Sequence, residues 1–485
     1  MHEKCGVAGI ADLRGEENVV PDAAALNLRL IHRGELGGGL SGVTDGALWT
    51  VKGNDTEECT APRADLLAGR RSTSAIAHRR YATSGERSEI GAQPFQNDDF
   101  SFGFNGTIAN YASLAARLRE RRVALGTNVD TEIIQQLIVE GIRLAGRGDM
   151  RRVFRSLENE LDGSYTVTLL GKDGDLYGYR NKLGNRPLSY AVIGGRIVVM
   201  ASENSAIEDI YPGARTHDVG PGQLLIAKDG KCELQDVMRE GPEARCFFEW
   251  TYFARRRSTI DGMPVAGARD AWGRQLARME RLKPDGAIVV PIPDSAETAA
   301  HGYADESRCP LVMGIEKVRE GRTFIEGHPV VREEKARLKY KLHPELLGGR
   351  KVILVDDSLV RGTTMTALVK RLRAEGHVSE IHVRIACPPI LAPCFYGIDF
   401  PEIKELIARL NFSGVLTSGE LPEEVLTLIA ARLGVDSIRF LPVESVPQVL
   451  SRHCHGLCMA CVTGEYPTHA GRVLHQVEER KVRAQ

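Results

Sequence analysis

The stretch Val352–Thr364, VILVDDSLVRGTT, carries the densest set of groups able to do chemistry. Val352–Val355 has the length and branching of a buried parallel strand. Asp356 and Asp357 end it, and Ser358, Arg361, Gly362, Thr363 and Thr364 lead into a periodic helical segment, Met365–Leu372. A strand, a small-residue loop and a helix N-terminus gather N–H groups, hydroxyls and the positive end of a helix dipole around one anion. Two carboxylates would repel that anion unless they face sugar hydroxyls or a metal ion. The combination points to a sugar phosphate, with the loop on the phosphate and the acids on the ribose. It is not a P-loop, since no Gly-Lys-Ser/Thr follows the strand. The bland alternative is a strand-to-helix turn with two solvated acids.

Cys5 opens a second line of chemistry. Its followers, Gly6-Val7-Ala8-Gly9, are small. As a new N-terminus it would carry its own base, because an α-amine with a reference pKa of about 8 can take the thiol proton. That requires loss of Met1–Lys4, so the mature chain is expected to begin at Cys5. A buried cysteine without a role is the competing reading. Cys458-Met459-Ala460-Cys461 has a spacing suited to metal ligation or redox chemistry, and spacing alone leaves a zinc site and a thiol pair open.

The 485-residue length predicts two or three domains. A formal net charge of -1 argues against a general binder of nucleic acid or membrane surfaces. No apolar run reaches the length of a membrane span, and MHEKCGVAGI lacks the basic and apolar regions of a secretory signal. A cytoplasmic protein is expected. Ten cysteines in such a chain do not suggest a disulfide framework. Cys59, Cys232, Cys309 and Cys387 read as small apolar or incidental residues.

The elements that must position these groups are of two kinds. Early on, strands are expected at Cys5–Ile10, Ser74–His78 and Ser101–Phe104. A helix is expected at Pro21–His32 and a flexible patch at Gly37–Gly39, with Arg79 and Arg80 in a loop. Helices follow at Tyr111–Arg121 and Thr131–Leu144, the second led by Asp130, a favoured N-cap. The segments SYTVTLLG, DLYGYR, RIVVMAS and GQLLIA alternate as antiparallel strands do. This first part is α+β, helices packed on antiparallel sheets. Beyond a boundary near 230–245, helix Gly262–Leu282 and strands Ala287–Pro291, Lys351–Val355 and Glu380–Ala386 follow an α/β alternation. That implies a doubly wound parallel sheet with ligands at the carboxyl ends of its strands.

These residues also carry a family resemblance. Val352–Thr364 resembles, nearly residue for residue, the PRPP-binding motif of type I phosphoribosyltransferases. CGVAGI, IHRGELGGGL, AHRRYATSGERSEIGAQPF, FNGTIAN and VDTEI occur in the order found in class II glutamine amidotransferases, whose N-terminal-nucleophile fold stacks antiparallel sheets with helices outside. From Cys5 to about Thr468 the chain resembles the amidophosphoribosyltransferase family. RCFFEWTYFARRRS and PPILAPCFYGID are similar to its iron–sulfur branch.

The resemblance implies synthesis of 5-phosphoribosylamine, glutamate and pyrophosphate from PRPP, glutamine and water, the step that opens purine synthesis. It implies Cys5 as nucleophile, Asn105 and Gly106 as oxyanion donors, Arg80 on the glutamine carboxylate and Asp130 on its ammonium. PRPP would meet Asp356, Asp357, Ser358, Arg361, Gly362, Thr363 and Thr364. Ser295 of the PIPDS turn would join Asp356 and Asp357 around Mg²⁺, and Lys317–Phe324 would close over the substrate. Cys246, Cys394, Cys458 and Cys461 would hold a 4Fe–4S cluster, leaving Cys454 spare. The implied parts are a propeptide at 1–4, a glutaminase domain at 5–235, a transferase domain at 236–445 and a ligand-bearing tail at 446–485. Relatives also imply feedback by purine nucleotides and a homotetramer or homodimer.

Several loops depart from the family pattern. Glu35-Leu36 stands where the family has glutamine followed by an acid, and Phe104 where a histidine precedes Asn105-Gly106. The turn Arg180–Leu188 lacks an acid after its first arginine, and the closing loop is one residue shorter. A divergent homologue with a regulatory role, or a transferase with another acceptor, is the alternative.

Overall fold

The computed structural model describes residues 5–35, 37–53, 67–80, 91–123, 125–127, 129–238, 240–281, 285–318, 340–398, 400, 402–409 and 412–483. Met1–Lys4 and all of the expected closing loop beyond Val318 lie outside these residues.

The alternating segments of the first part fold into two antiparallel sheets. Seven strands lie in the order His217–Asp218, Ser189–Ile193, Ile197–Ala201, Gly6–Asp12, Ser74–Arg80, Gly37–Thr44 and Ala47–Gly53. Six lie in the order Lys231–Asp236, Gln223–Lys228, Leu176–Arg180, Gly163–Gly171, Phe100–Ile108 and Phe95–Gln96. Val7, Ile76, Leu170, Leu176, Val198 and Met200 fill one buried layer between the two sheets. Helices Val20–Arg29 and Asn204–Ile210 cover the outer face of the first sheet. Tyr111–Glu120, Asp130–Ala145 and Met150–Glu160 cover that of the second. Met150–Glu160 and Asn204–Ile210 are helices the sequence does not signal; in the first, arginines and glutamates flank a narrow apolar stripe, Met150, Val153, Phe154 and Leu157, which it buries.

Three local expectations change. Gly37–Gly39 is no flexible patch but the start of a strand inside the seven-stranded sheet. A Cβ on Gly38 would lie 2.4 Å from the His78 carbonyl oxygen, and one on Gly39 2.5 Å from that of Val51. The glycines serve close backbone approach. Arg79 and Arg80 continue the strand Ser74–Arg80 instead of forming a loop. Asp130 is the first helical residue, Val129 holds the N-cap position, and no side chain caps this helix.

Beyond residue 240 the parallel strands Ala287–Pro291, Lys351–Asp356, Glu380–Ile385 and Ser437–Phe440 lie side by side in that order. On the far side of the first strand, Leu311 makes a parallel bridge to Val289. The chain thus leaves Ala287–Pro291 in one direction through helix Glu297–Ser307 and resumes on the opposite side with Lys351–Asp356. This reversal defines a doubly wound sheet and places its switch point between those two strands. The helix expected at Gly262–Leu282 spans Val265–Arg278, because Thr259–Ile260 and Met263–Pro264 form a hairpin first. Asp261 and Gly262 take the positive φ values, +48° and +78°, that its two-residue turn demands. Among the described residues no helix is long and apolar enough to cross a membrane.

Candidate functional site

Cys5 immediately precedes the strand Gly6–Asp12, and Gly6 lies opposite Arg79, so the end of the neighbouring strand brings Arg80 to the thiol. Arg80 is buried. Burial lowers its pKa, opposed by negative charge at Cys5 and Asp130, so these three groups share one field. A Cβ on Gly91 would stand 2.3 Å from an Arg80 Nη, so a side chain there would displace the guanidinium. Burial pushes the Asp130 carboxyl up to about 6, against the backbone N–H groups of Thr131 and Ile108 and the Arg80 charge.

Asn105 and Gly106 sit inside the strand Phe100–Ile108, opposite Thr166 and Tyr165. The Asn105 Nδ2 is buried and has no partner among the described residues. An unpaired buried donor costs about 1–3 kcal/mol, so a ligand that completes it is the natural explanation. Gly106 has φ +154°, and a Cβ there would lie 2.0 Å from the Ser164 oxygen. Gln93 was not legible as part of this site. Its side chain accepts from Phe104 N at 2.6 Å and donates to Thr131 Oγ1 at 3.3 Å, tying the Asn105 strand to the helix that carries Asp130. Phe104 itself stacks on Tyr165 in the buried interior, where an apolar ring suffices.

The second site is a cavity of about 850 Å³ at the switch point of the parallel sheet. Ser295, from the turn after Ala287–Pro291, donates to Asp357 Oδ2 across that crevice. Ser358 Oγ donates to Asp357 Oδ1, and the Asp357 N–H to Asp356 Oδ1 at 2.9 Å. Gly362 precedes helix Thr363–Ala374 with φ +80°, and a Cβ there would lie 2.6 Å from Ile407 Cδ1. Arg361, Thr363 and Thr364 line the same cavity. Lys317, the start of the expected closing loop, pairs with Asp294 at 2.6 Å.

The sequence did not reveal three other cationic or titratable groups on this cavity's wall. Arg269 is buried and donates to the carbonyls of Trp250 and Ala254, both at 2.8 Å. Burial lowers its pKa to about 10, with Asp357 pulling the other way. His32 and Arg255 also line the cavity, and Arg255 Nε meets His32 Nδ1 at 3.1 Å. The three-arginine run at 255–257 was a signal available in the sequence; Arg269 and His32 looked like ordinary helix residues. The donors around Asp356, Asp357 and Ser295 are all oxygen, and two carboxylates suffice for a hard divalent cation that keeps several waters and takes oxygens from its substrate.

The thiols expected to act together do converge. Cys246 and Cys458 are directly paired in the short parallel ladder Arg245–Cys246 with Leu457–Cys458. Cys461 is buried, and burial together with Cys394, Cys458 and Cys246 holds its thiol well above the usual range. Burial likewise pushes Cys458 up to about 12. All four are free thiols. Among the described residues no group of three or more His, Cys, Asp or Glu side chains is placed to hold a metal ion. The buried Cys454 Sγ donates to Leu450 O at 3.4 Å. Cys387, expected to be incidental, is a further buried thiol close enough to Cys461 to act on its titration.

The two sites define a glutamine amidotransferase fused to a phosphoribosyltransferase, and comparison with known proteins agrees. Residues 78–209 match the glutamine amidotransferase domain and residues 273–388 the phosphoribosyl transferase domain. An amidophosphoribosyltransferase of Archaeoglobus fulgidus is 38% identical over 96% of this chain and 98% of its own. That of Bacillus subtilis is 33% identical over 99% and 98%. The solved B. subtilis glutamine PRPP amidotransferase, complexed with ADP and GMP, superposes with a TM-score of 0.82 at 31% identity, covering 96% of this chain and 98% of that one. The chain belongs to the amidophosphoribosyltransferase family.

Proposed function

We propose that this chain catalyses the first step of purine biosynthesis, making 5-phosphoribosylamine, glutamate and pyrophosphate from PRPP, glutamine and water. Cys5, deprotonated by its own α-amine, attacks the side-chain amide carbon of glutamine. Arg80 holds the substrate carboxylate and Asp130 its ammonium. Asn105 Nδ2 and the Gly106 N–H receive the oxyanion, and the protonated α-amine returns its proton to the departing ammonia. Water then releases glutamate from the thioester. Ammonia attacks ribose C1 and displaces pyrophosphate while the loop Ser358–Thr364 holds the 5-phosphate. Mg²⁺ bound by Asp356, Asp357 and Ser295 would neutralise the leaving diphosphate.

The observation that carries this reading is the unpartnered Asn105 Nδ2 in the same chain as a hydroxyl and two acids facing each other across a switch point. Cys246, Cys394, Cys458 and Cys461 would hold a 4Fe–4S cluster that fastens the tail; the reaction itself requires no redox step. Anaerobic protein should be brown, and a colourless preparation containing zinc would refute the cluster. The parts proposed are a propeptide at 1–4, a glutaminase domain at 5–235, a transferase domain at 236–445 and a tail at 446–485. Intact mass should show a chain beginning at Cys5, and an active protein retaining His2 would overturn that start.

A homo-oligomer in the cytoplasm, inhibited by purine nucleotides, completes the proposal, supported by a relative solved with ADP and GMP. The deciding assay is glutamine hydrolysis with and without PRPP, with pyrophosphate measured alongside glutamate. Both products together support the reading. Glutamate alone would mark a hydrolase, and neither would favour a regulatory homologue.

A further inference from the structure

We infer that Arg186 and Glu249 are positioning residues for Cys5, through which the loop Cys394–Gly397 sets the geometry of the glutamine half-reaction. This rests on Cys5 being the nucleophile. A continuous set of hydrogen bonds joins the two places. The Tyr396 N–H donates to Cys394 Sγ at 3.4 Å. Arg186 Nη2 donates to the carbonyls of Tyr396 and Gly397 at 2.8 and 2.5 Å, and its Nη1 to Glu249 Oε1 at 3.1 Å. Both Glu249 oxygens accept from Arg33 Nη2, at 2.9 and 3.0 Å, and Arg33 Nε donates to the Cys5 carbonyl at 3.1 Å.

Every charged side chain in this path is almost fully buried: Arg33 1%, Arg186 2% and Glu249 1% exposed. Water therefore cannot take over a bond that is lost, and guanidinium and carboxylate planes admit few alternative geometries. The loop is also shaped for the arginine. Gly397 has φ +97°, and a Cβ there would stand 2.6 Å from Arg186 Nη2. None of these side chains is placed at the reacting atoms of either half-reaction. They reach the glutamine chemistry through the position of the Cys5 backbone, which carries both the thiol and the amine that activates it; Arg33 Nη1 also donates to Glu203 at 2.8 Å, a carboxylate that meets His32 on the transferase cavity wall.

The test uses the full chain, purified without oxygen, with Arg186→Gln, Arg186→Lys and Gly397→Ala. Three quantities are compared: pyrophosphate release driven by ammonia, kcat/KM for glutamine, and the rate at which a glutamine-mimicking chloromethyl ketone alkylates Cys5. Arg186→Gln and Gly397→Ala should lower the last two about tenfold or more, since small misplacements of reacting groups are costly. Ammonia-driven turnover should stay within about twofold, because that half-reaction does not use Cys5. Arg186→Lys should recover part of the loss. Equal decline of both activities would reduce Arg186 to a structural residue and overturn the inference, as would unchanged alkylation in both variants. A parent protein that uses ammonia but never glutamine would instead defeat the assignment of Cys5.

Discussion

The two candidate sites are built on opposite principles. The phosphoribosyl site is largely one continuous stretch: Asp356, Asp357, Ser358, Arg361, Gly362, Thr363 and Thr364 occupy a single strand–loop–helix junction, completed by Ser295 from the turn after the neighbouring strand. The glutaminase site takes one or two residues from each of several separated elements. Cys5, Arg80, Asn105 and Asp130 come from two sheets and a helix, held in register by ladders and by Gln93. A contiguous cradle inherits its geometry from local backbone preference. A dispersed site inherits it from packing, so distant changes should damage it more.

The sharpest division between the sites comes from removing Cys5. Cys5→Ala should lower glutamine-driven turnover by about a thousandfold or more, as loss of a covalent nucleophile does, yet leave ammonia-driven pyrophosphate release nearly intact. Asn105→Ala comes next, with about a 10²–10³-fold loss in glutaminase kcat and little change in glutamine KM. For the other site, Asp357→Asn should reduce pyrophosphate release about 10–100-fold with either nitrogen donor and raise the Mg²⁺ required for half-maximal rate. A loss seen only with glutamine would break the assignment.

A pH profile probes the dispersed site more gently. Asp130 is held up to about 6 by burial, so it is ionised and able to bind an ammonium above that pH and becomes neutral below it. As a result, kcat/KM for glutamine should fall about tenfold per pH unit below 6, and Asp130→Asn should abolish that break. Its raised folded-state pKa also means that the ionised carboxylate costs stability as pH rises from the ordinary carboxylate range through 6. Asp130→Asn should therefore raise the melting temperature at pH 8 while impairing glutamine use. The smallest effect is expected of Gly362→Ala. Positive φ and the Ile407 contact should cost about 1–2 kcal/mol, appearing as weaker PRPP binding with unchanged Cys5 alkylation.

This contrast also explains what was legible. The strand–loop–helix at Val352–Ala374 could be read directly, because every requirement of an anion cradle is local in sequence. Alternation likewise marked the antiparallel part and the strand–helix rhythm the parallel part. Gly37–Gly39 misled, since glycine signals flexibility and close approach with the same letter; only the neighbouring carbonyls at 2.4 and 2.5 Å distinguish them. Asp130 misled for a related reason: a carboxylate before a helix looks like a cap wherever its side chain points.

By itself the sequence determined which groups exist and which local backbones they favour: a thiol near the start, a phosphate cradle, four spaced cysteines and two classes of sheet. Tertiary structure alone decided which of them meet. It buried Arg269 beside Asp357, set His32 and Arg255 on the wall of the transferase cavity, and ran Arg186, Glu249 and Arg33 between the thiol loop and Cys5. Such meetings depend on burial and on contacts across long sequence separations. Hydrophobic packing and strand register fix them, and neither is a property of any short stretch of chain.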